Sequence, residues 1–297
     1  MKKAGRVLGA AVAATTALMS PAEAQVSDRG GRAESGLPAS GFYAGAGINA
    51  NLVVPTNQTI YAQGISNIFQ GGAQTATGAA FGPTNPRAAT ASTISPSAQL
   101  GYFQTLDDSR WLLGGKVSYN HVGATSTTHF VLVPQIGSYA VSGNVTAFTG
   151  NVVIRSYQVT VDHQFSVVPY AGFTFDRSFV YLGAGPSLTH ARTALANTVG
   201  FASINGATQS ITGAPSTFAS EQWLIGATLA AGATYFFTPS WFLEIGYSFT
   251  LTDLWNRTYA APFSNTTASF TTTGILSGSY TGGVNTHTLT VSINRKF

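Results

Sequence analysis

The chain has 297 residues, of which only 8% are charged and 12% aromatic, with 33 glycines, no cysteine and a formal net charge of +4. So little charge is unusual for a water-soluble domain, where about a quarter of residues are charged. The absence of cysteine excludes disulfides and thiolate chemistry. No apolar run approaches the roughly 20 residues a membrane helix needs, which excludes a helical membrane protein.

The start reads as a secretory signal peptide, residues 1–24. Lys2, Lys3 and Arg6 precede a short apolar core from Val7 to Leu18, and Ala22-Glu23-Ala24 is an A-x-A cleavage site. Losing those three basic residues and Glu23 leaves 11 basic and 9 acidic residues, a net +2. No clustered basic face remains, so no nucleic-acid partner is expected. Residues 25–40 are polar and Gly-rich and read as a periplasmic leader.

Between residues 41 and 297, segment after segment alternates apolar with small or polar residues. A period of two means extended strand, because successive side chains point to opposite faces. Eight strands are predicted: Gly41–Val54, Ile94–Leu106, Trp111–His121, Tyr157–Phe175, Phe179–His190, Trp223–Phe237, Trp241–Asp253 and Val284–Phe297. Three connections are tight: Asp107-Asp108-Ser109-Arg110, Asp176-Arg177 and Thr238-Pro239-Ser240. These are turn formers, since Asp and Ser bond their own backbone and Pro sets φ. Four connections are long (55–93, 122–156, 191–221 and 254–283) and rich in Thr, Ser, Asn, Gly and Ala. Short turns on one rim and long loops on the other mark a membrane barrel, with the short turns and both termini periplasmic.

One face of each strand is greasy and the other carries glycine. Sorting by polarity puts Gly45, Gly47, Gly101, Gly114, Gly172, Gly183, Gly185, Gly226, Gly232 and Gly246 inside, with Gly115 the exception. The large inward side chains are then Tyr43, Phe103, Tyr170, Phe179, Tyr181 and Phe242. An eight-stranded interior is only just wide enough for side chains, so small must face large. A soluble β-sandwich, with glycines marking bulges, is the alternative. Two aromatic girdles are expected. One, at the short-turn ends, holds Phe42, Trp111, Phe173, Phe175, Phe236, Phe237, Trp241 and Phe297. The other, nearer the loops, holds Tyr119, Tyr157, Phe249 and Trp255. In the second long loop, alternation continues unbroken from Val153. Residues 129–133 pairing with 152–157 as a hairpin above the membrane is the preferred reading. Ten strands, with a further turn near Gly143-Asn144, is the other.

The last strand runs Leu289, Val291, Ile293 and Phe297 along one face and ends on Phe297. It resembles the C-terminal strand of bacterial outer-membrane barrels, apart from Arg295, where that family has an aromatic. Gly41-Phe42-Tyr43-Ala44-Gly45-Ala46-Gly47 and the strand–turn–strand from Tyr170 to Gly185 resemble the eight-stranded opacity-type and immunogenic outer-membrane proteins. The resemblance implies an all-β, transmembrane, antiparallel up-and-down β-barrel of eight strands with long extracellular loops, in the Gram-negative outer membrane. It implies Phe297 as the signal read by the barrel-assembly machinery, and it supplies no shared catalytic residues. Larger relatives add a peptidoglycan-binding domain after the barrel, which is not expected after a last strand ending at Phe297.

Lys116 and Glu244 are the charges placed deep in the membrane band, both on lumen phase and on opposite strands of an eight-membered ring. A cation facing lipid at mid-depth costs about 2–4 kcal/mol, so both belong inside. Either they form an ion pair that plugs the lumen, or each is satisfied separately by polar neighbours and water. All five histidines (His121, His129, His163, His190 and His287) fall towards the loop rim with Arg155, Arg192 and Arg257. These either meet the anionic head groups of lipopolysaccharide or form a solvated loop base. No pair has metal-ligand spacing with a carboxylate partner, so neither metal nor cofactor is expected. Lipid A deacylases and phospholipases of this membrane place His and Ser in a fixed motif, and no His-x-Ser occurs. The adjacent acids Asp107-Asp108 sit in a short turn, away from where an omptin-type protease needs them. His163 with Asp162 is the nearest approach to an oriented base. The expected function is therefore non-enzymatic: a monomeric barrel for envelope integrity, adhesion or antigenic display, contacting outer-membrane lipid and, through its loops, host or surface ligands. The alternative is a narrow porin-like channel or conduit for small solutes or lipids.

Overall fold

The computed structural model describes residues 37–204 and 206–297. The signal peptide and the leader up to residue 36 lie outside the described residues. Every regular element described is a strand: β1 (Ser40–Gln70), β2 (Ala73–Thr84), β3 (Ala91–Thr105), β4 (Trp111–Val141), β5 (Asn144–Thr174), β6 (Ser178–Ile204), β7 (Ala207–Ser210), β8 (Ser216–Thr238), β9 (Trp241–Thr252), β10 (Trp255–Thr266) and β11 (Thr271–Lys296). All pairings are antiparallel.

Eight strands close a ring in the order β1-β3-β4-β5-β6-β8-β9-β11, with β11 returning to β1 from Tyr43↔Lys296 upward. Closure satisfies every strand edge at this level, as hydrocarbon requires. The tight turns form as expected from their residues. Thr238 Oγ1 accepts the amides of Ser240 and Trp241, and Asp108 takes a positive φ of 57°. Outside the ring lies a belt of exposed apolar side chains: Ile48, Leu100, Leu113, Val117, Val167, Leu182, Ile225, Leu229, Ile245, Leu289, Val291 and Ile293. So much contiguous exposed hydrocarbon is stable only against lipid.

The girdle at the short-turn rim faces outward at Phe42, Trp111, Phe175, Phe237, Trp241 and Phe297. Arg295 sits where an aromatic was expected and stacks its guanidinium over the Trp241 and Phe297 rings, at 5.8 and 5.5 Å. It keeps the girdle continuous by cation–π contact. Three girdle assignments are corrected. Phe236, Tyr157 and Trp255 are 1%, 1% and 2% exposed and point inward, because β-strand phase, not position along the strand, decides the face.

The four long connections are the main correction. Most of their residues are not loops but β-wall continuing beyond the apolar belt. β4 and β5 are each 31 residues, about three times the 9–11 that cross a bilayer, and they pair up to a turn at Ser142-Gly143, with a register shift between His121 and Ala124. The hairpin reading of 129–133 with 152–157 holds, as Val131↔Ile154 and Val133↔Val152. Above β3, β2 takes its place between β1 and β4. β10 extends the wall beside β11.

This upper barrel has its own apolar core, including Val53, Ile60, Val122, Val133, Ile154, Tyr157, Val159, Leu195, Phe218, Trp255, Leu276 and Tyr280. Burial here pushes the Tyr157 and Tyr259 phenols well above their usual range, so both stay neutral. At the opposite end a second cluster packs Tyr43, Phe103, Leu112, Tyr170, Phe179, Tyr181, Phe236 and Phe242, with Leu37 of the leader against it.

Glycine makes that second cluster possible. A Cβ at Gly101 would lie 2.4 Å from the Tyr43 ring, and one at Gly232 would lie 2.5 Å from the Tyr181 hydroxyl. Gly115 faces out and its Cβ would meet nothing closer than 3.9 Å. The Gly101→Ala variant is expected to destabilise the barrel by about 1–3 kcal/mol through overpacking. In a Tyr43→Ala background the same change is expected to be near neutral, as read by a double-mutant cycle of urea unfolding in lipid vesicles.

Candidate functional site

Between the two apolar clusters the interior is polar, because the inward phase of the mid-strand positions carries Asn, Gln, Ser, Thr, Lys and Glu. Lys116 on β4 and Glu244 on β9 meet there, with Nζ 2.7 Å from Oε1. Glu244 is 1% exposed. Its Oε1 also accepts the Tyr181 hydroxyl at 2.5 Å, and its Oε2 accepts Gln99 Nε2 at 2.6 Å. Lys116 donates a second bond to the Tyr181 hydroxyl at 2.7 Å, with Nζ 4.8 Å from that ring's centre. Gln99 Nε2 reaches Asn294 Oδ1 at 2.7 Å and Ser292 Oγ at 3.1 Å. The Glu244 carboxylate ties β3, β4, β6 and β9 together, and the Gln99 amide carries the network on to β11.

A second polar ring lies alongside. Asn51 donates to Ser95 at 2.8 Å, Ser95 to Asn120 at 3.2 Å, and Asn120 back to Asn51 at 2.7 Å, while Thr288 also donates to Asn51 at 2.9 Å. The remaining cavity is about 50 Å³, lined by residues such as Asn49, Lys116, Gln164 and Thr288. That is room for a few water molecules. Lumen phase alone placed Lys116 and Glu244. Gln99, Tyr181 and Asn294 escaped it as partners, because phase says which face a residue takes, not which strand it meets across the lumen.

On the outer face, just beyond the apolar belt, cross-strand register brings three histidines side by side. His121 pairs with His163 across β4–β5, and His163 with His190 across β5–β6. The His121 and His163 Nδ1 atoms are 3.3 Å apart, and the His163 and His190 rings 6.0 Å. Tyr119 bonds His163 at 3.0 Å, and Trp223 packs on His190 at 4.8 Å. His287 lies elsewhere on this rim, 2.7 Å from the Tyr247 hydroxyl. The acid of this patch, Asp162, does not serve His163. It takes a bidentate pair from Arg192, both bonds 2.6 Å, and lies 3.2 Å from His190 Nδ1. Arg155 on β5 and Arg257 on β10 are exposed but stand higher on the wall, so the three arginines do not converge. Among the described residues no group of three or more His, Cys, Asp or Glu could hold a metal ion.

No protein-family model matches the chain, and no curated protein matches it. Among solved structures, the chain is similar to Ail, the attachment invasion locus protein of Yersinia pestis, with 11% identity and a TM-score of 0.28 over 84% of this chain and 99% of that one. It is similar to the outer membrane protein OprG from Pseudomonas aeruginosa, with 10% identity and a TM-score of 0.33 over 89% and 98%. It is also similar to the outer membrane protease OmpT from Escherichia coli, with 11% identity and a TM-score of 0.34 over 84% and 97%.

Removing Lys116 alone strands a buried carboxylate, so Lys116→Met is expected to cost about 3–5 kcal/mol in unfolding, whereas Lys116→Met with Glu244→Met is expected to be near neutral. A loss in the double variant equal to the sum of the Lys116→Met and Glu244→Met losses, measured by urea unfolding in vesicles, would show that the two charges act independently. The ring closure, the asymmetric rims and the outward apolar belt make this chain an eight-stranded, transmembrane, antiparallel up-and-down β-barrel.

Proposed function

We propose that this barrel sits in a bacterial outer membrane as a closed, non-enzymatic scaffold that displays a tall β-wall at the cell surface, in envelope integrity, adhesion or antigenic display. The observation that carries this reading is double closure of the lumen. The aromatic cluster around Phe103, Phe179, Phe236 and Phe242 fills one end, and the apolar core around Val133, Ile154, Tyr157 and Leu276 fills the other. A solute would have to cross both, plus the Lys116–Glu244 layer, which in this reading acts as a plug. Chain invested in wall above the membrane serves contact with something outside the cell.

The short-turn rim then faces the periplasm, and Phe297, outward at the base of β11, is the signal for the assembly machinery. The lipopolysaccharide contact is carried by the row of His121, His163 and His190 with Arg192, at the height where head-group phosphates lie. Arg155 and Arg257 stand where its sugars would reach. With no open strand edge at membrane level, the barrel works as a monomer.

Refolded protein in planar bilayers is expected to give no stepwise current. Reproducible steps would favour the narrow-conduit reading instead. Shortening the β4–β5 hairpin by joining 134 to 151 through a two-residue turn is expected to preserve heat-modifiable migration while abolishing binding of whole cells to any surface the parent chain recognises. Unchanged binding would remove the wall from that role.

A further inference from the structure

Near the top of the wall a second cavity opens inside the barrel, of about 50 Å³, bordered by Gly64, Gln135, Phe148, Val152, Phe263 and Leu276. Its lining is chiefly hydrocarbon, yet it contains a buried amide. Gln135 is 3% exposed. Its Nε2 is turned to main-chain carbonyls, Pro134 at 3.3 Å, Val133 at 3.4 Å and Gly82 at 3.5 Å. That choice fixes the amide orientation, since the flipped form would set oxygen against three oxygens. Gln135 Oε1 is left as a buried acceptor with no partner. A buried acceptor is rarely tolerated unmet, and one that borders an apolar cavity points to a missing donor.

We propose that this cavity binds a small aliphatic alcohol, its hydroxyl donating to Gln135 Oε1 and its hydrocarbon chain packing against Phe148, Val152, Phe263 and Leu276. Of the bordering hydroxyls, Thr212 Oγ1 accepts the Gly200 amide at 3.0 Å, and Ser66 Oγ donates to the Gly78 carbonyl at 3.5 Å. One acceptor amid hydrocarbon matches a molecule with one donor. The volume suits about three to five non-hydrogen atoms, the size of propanol or butanol. Access does not require breaking a ladder on both sides of Phe263. β10 is paired only to β11 in the described sheet, and its other edge meets β8 through side chains such as Phe218 and Tyr259, with ring centres 4.4 Å apart.

The probe is 1-butanol, titrated into the full mature chain refolded in detergent and followed by ligand-observed NMR with Overhauser contacts to the aromatic protons. Saturable binding with contacts to Phe148 and Phe263 is expected in the parent chain. Gly64→Leu is designed to fill the cavity, since a Cβ there meets nothing within 4 Å, and it is expected to abolish binding. Gln135→Leu removes the acceptor and the unmet polar group together. It is expected to fold at least as well and to bind butanol about 10-fold more weakly, the loss of one net hydrogen bond. Heat-modifiable migration checks that both variants fold. Partition that does not saturate, or binding equal in parent and Gly64→Leu, would place the alcohol in the micelle and overturn the proposal. Equal affinity in Gln135→Leu would overturn it as well, leaving a cavity that takes hydrocarbon without using the amide.

Discussion

Within hydrocarbon no water is available to a backbone amide or carbonyl, so a sheet that crosses a bilayer must have no edge. The ladder between β1 and β11 removes the last one, and the rest of the molecule follows from that closure. It sets the ring at eight strands, and eight strands leave an interior only side chains can fill. The glycines and tyrosines of the lower cluster are the local consequence. Tyr43 fits because Gly101 faces it, and Tyr181 fits because Gly232 does.

The interior is layered by chemistry. Rings stack at one end, Phe236 on Phe242 at 4.7 Å and Phe103 beside Phe179 at 5.4 Å. Above them the polar layer centres on Glu244, whose burial is tolerable because three donors meet it. A buried ion pair is weak evidence for stability. Its value here is as a register device. Five strands must align to within a residue for Gln99, Lys116, Tyr181, Glu244 and Asn294 to meet, and a slip of one residue would turn them to lipid.

The wall beyond the apolar belt uses the same rules in a different solvent. There the outside faces water, and the stabilising core is within, from Val53 to Val284. Thr, Ser and Asn on the outer face made these segments look like loops. Their inner faces (Val131, Val133, Val152 and Ile154 among them) alternate as strictly as those in the membrane. The proposed alcohol site belongs to this upper core, where the buried Gln135 amide interrupts the hydrocarbon lining.

The residues by themselves determined the eight crossing strands, their inward and outward faces, the tight turns, the glycine–aromatic complementarity and the depth of Lys116 and Glu244. All of these rest on period-two alternation and turn chemistry, which are local. Only the tertiary structure decided which strands meet across the lumen, and so that Tyr181 and Gln99 complete the Glu244 site. It decided that Asp162 serves Arg192 and His190, that Trp255 and Tyr157 turn inward, and that the long connections are wall. Each of these depends on cross-strand register and on bulges, such as the shift between Val161 and His163, that change phase without changing composition. Local patterning orders a strand's two faces, and ring closure chooses what each face meets.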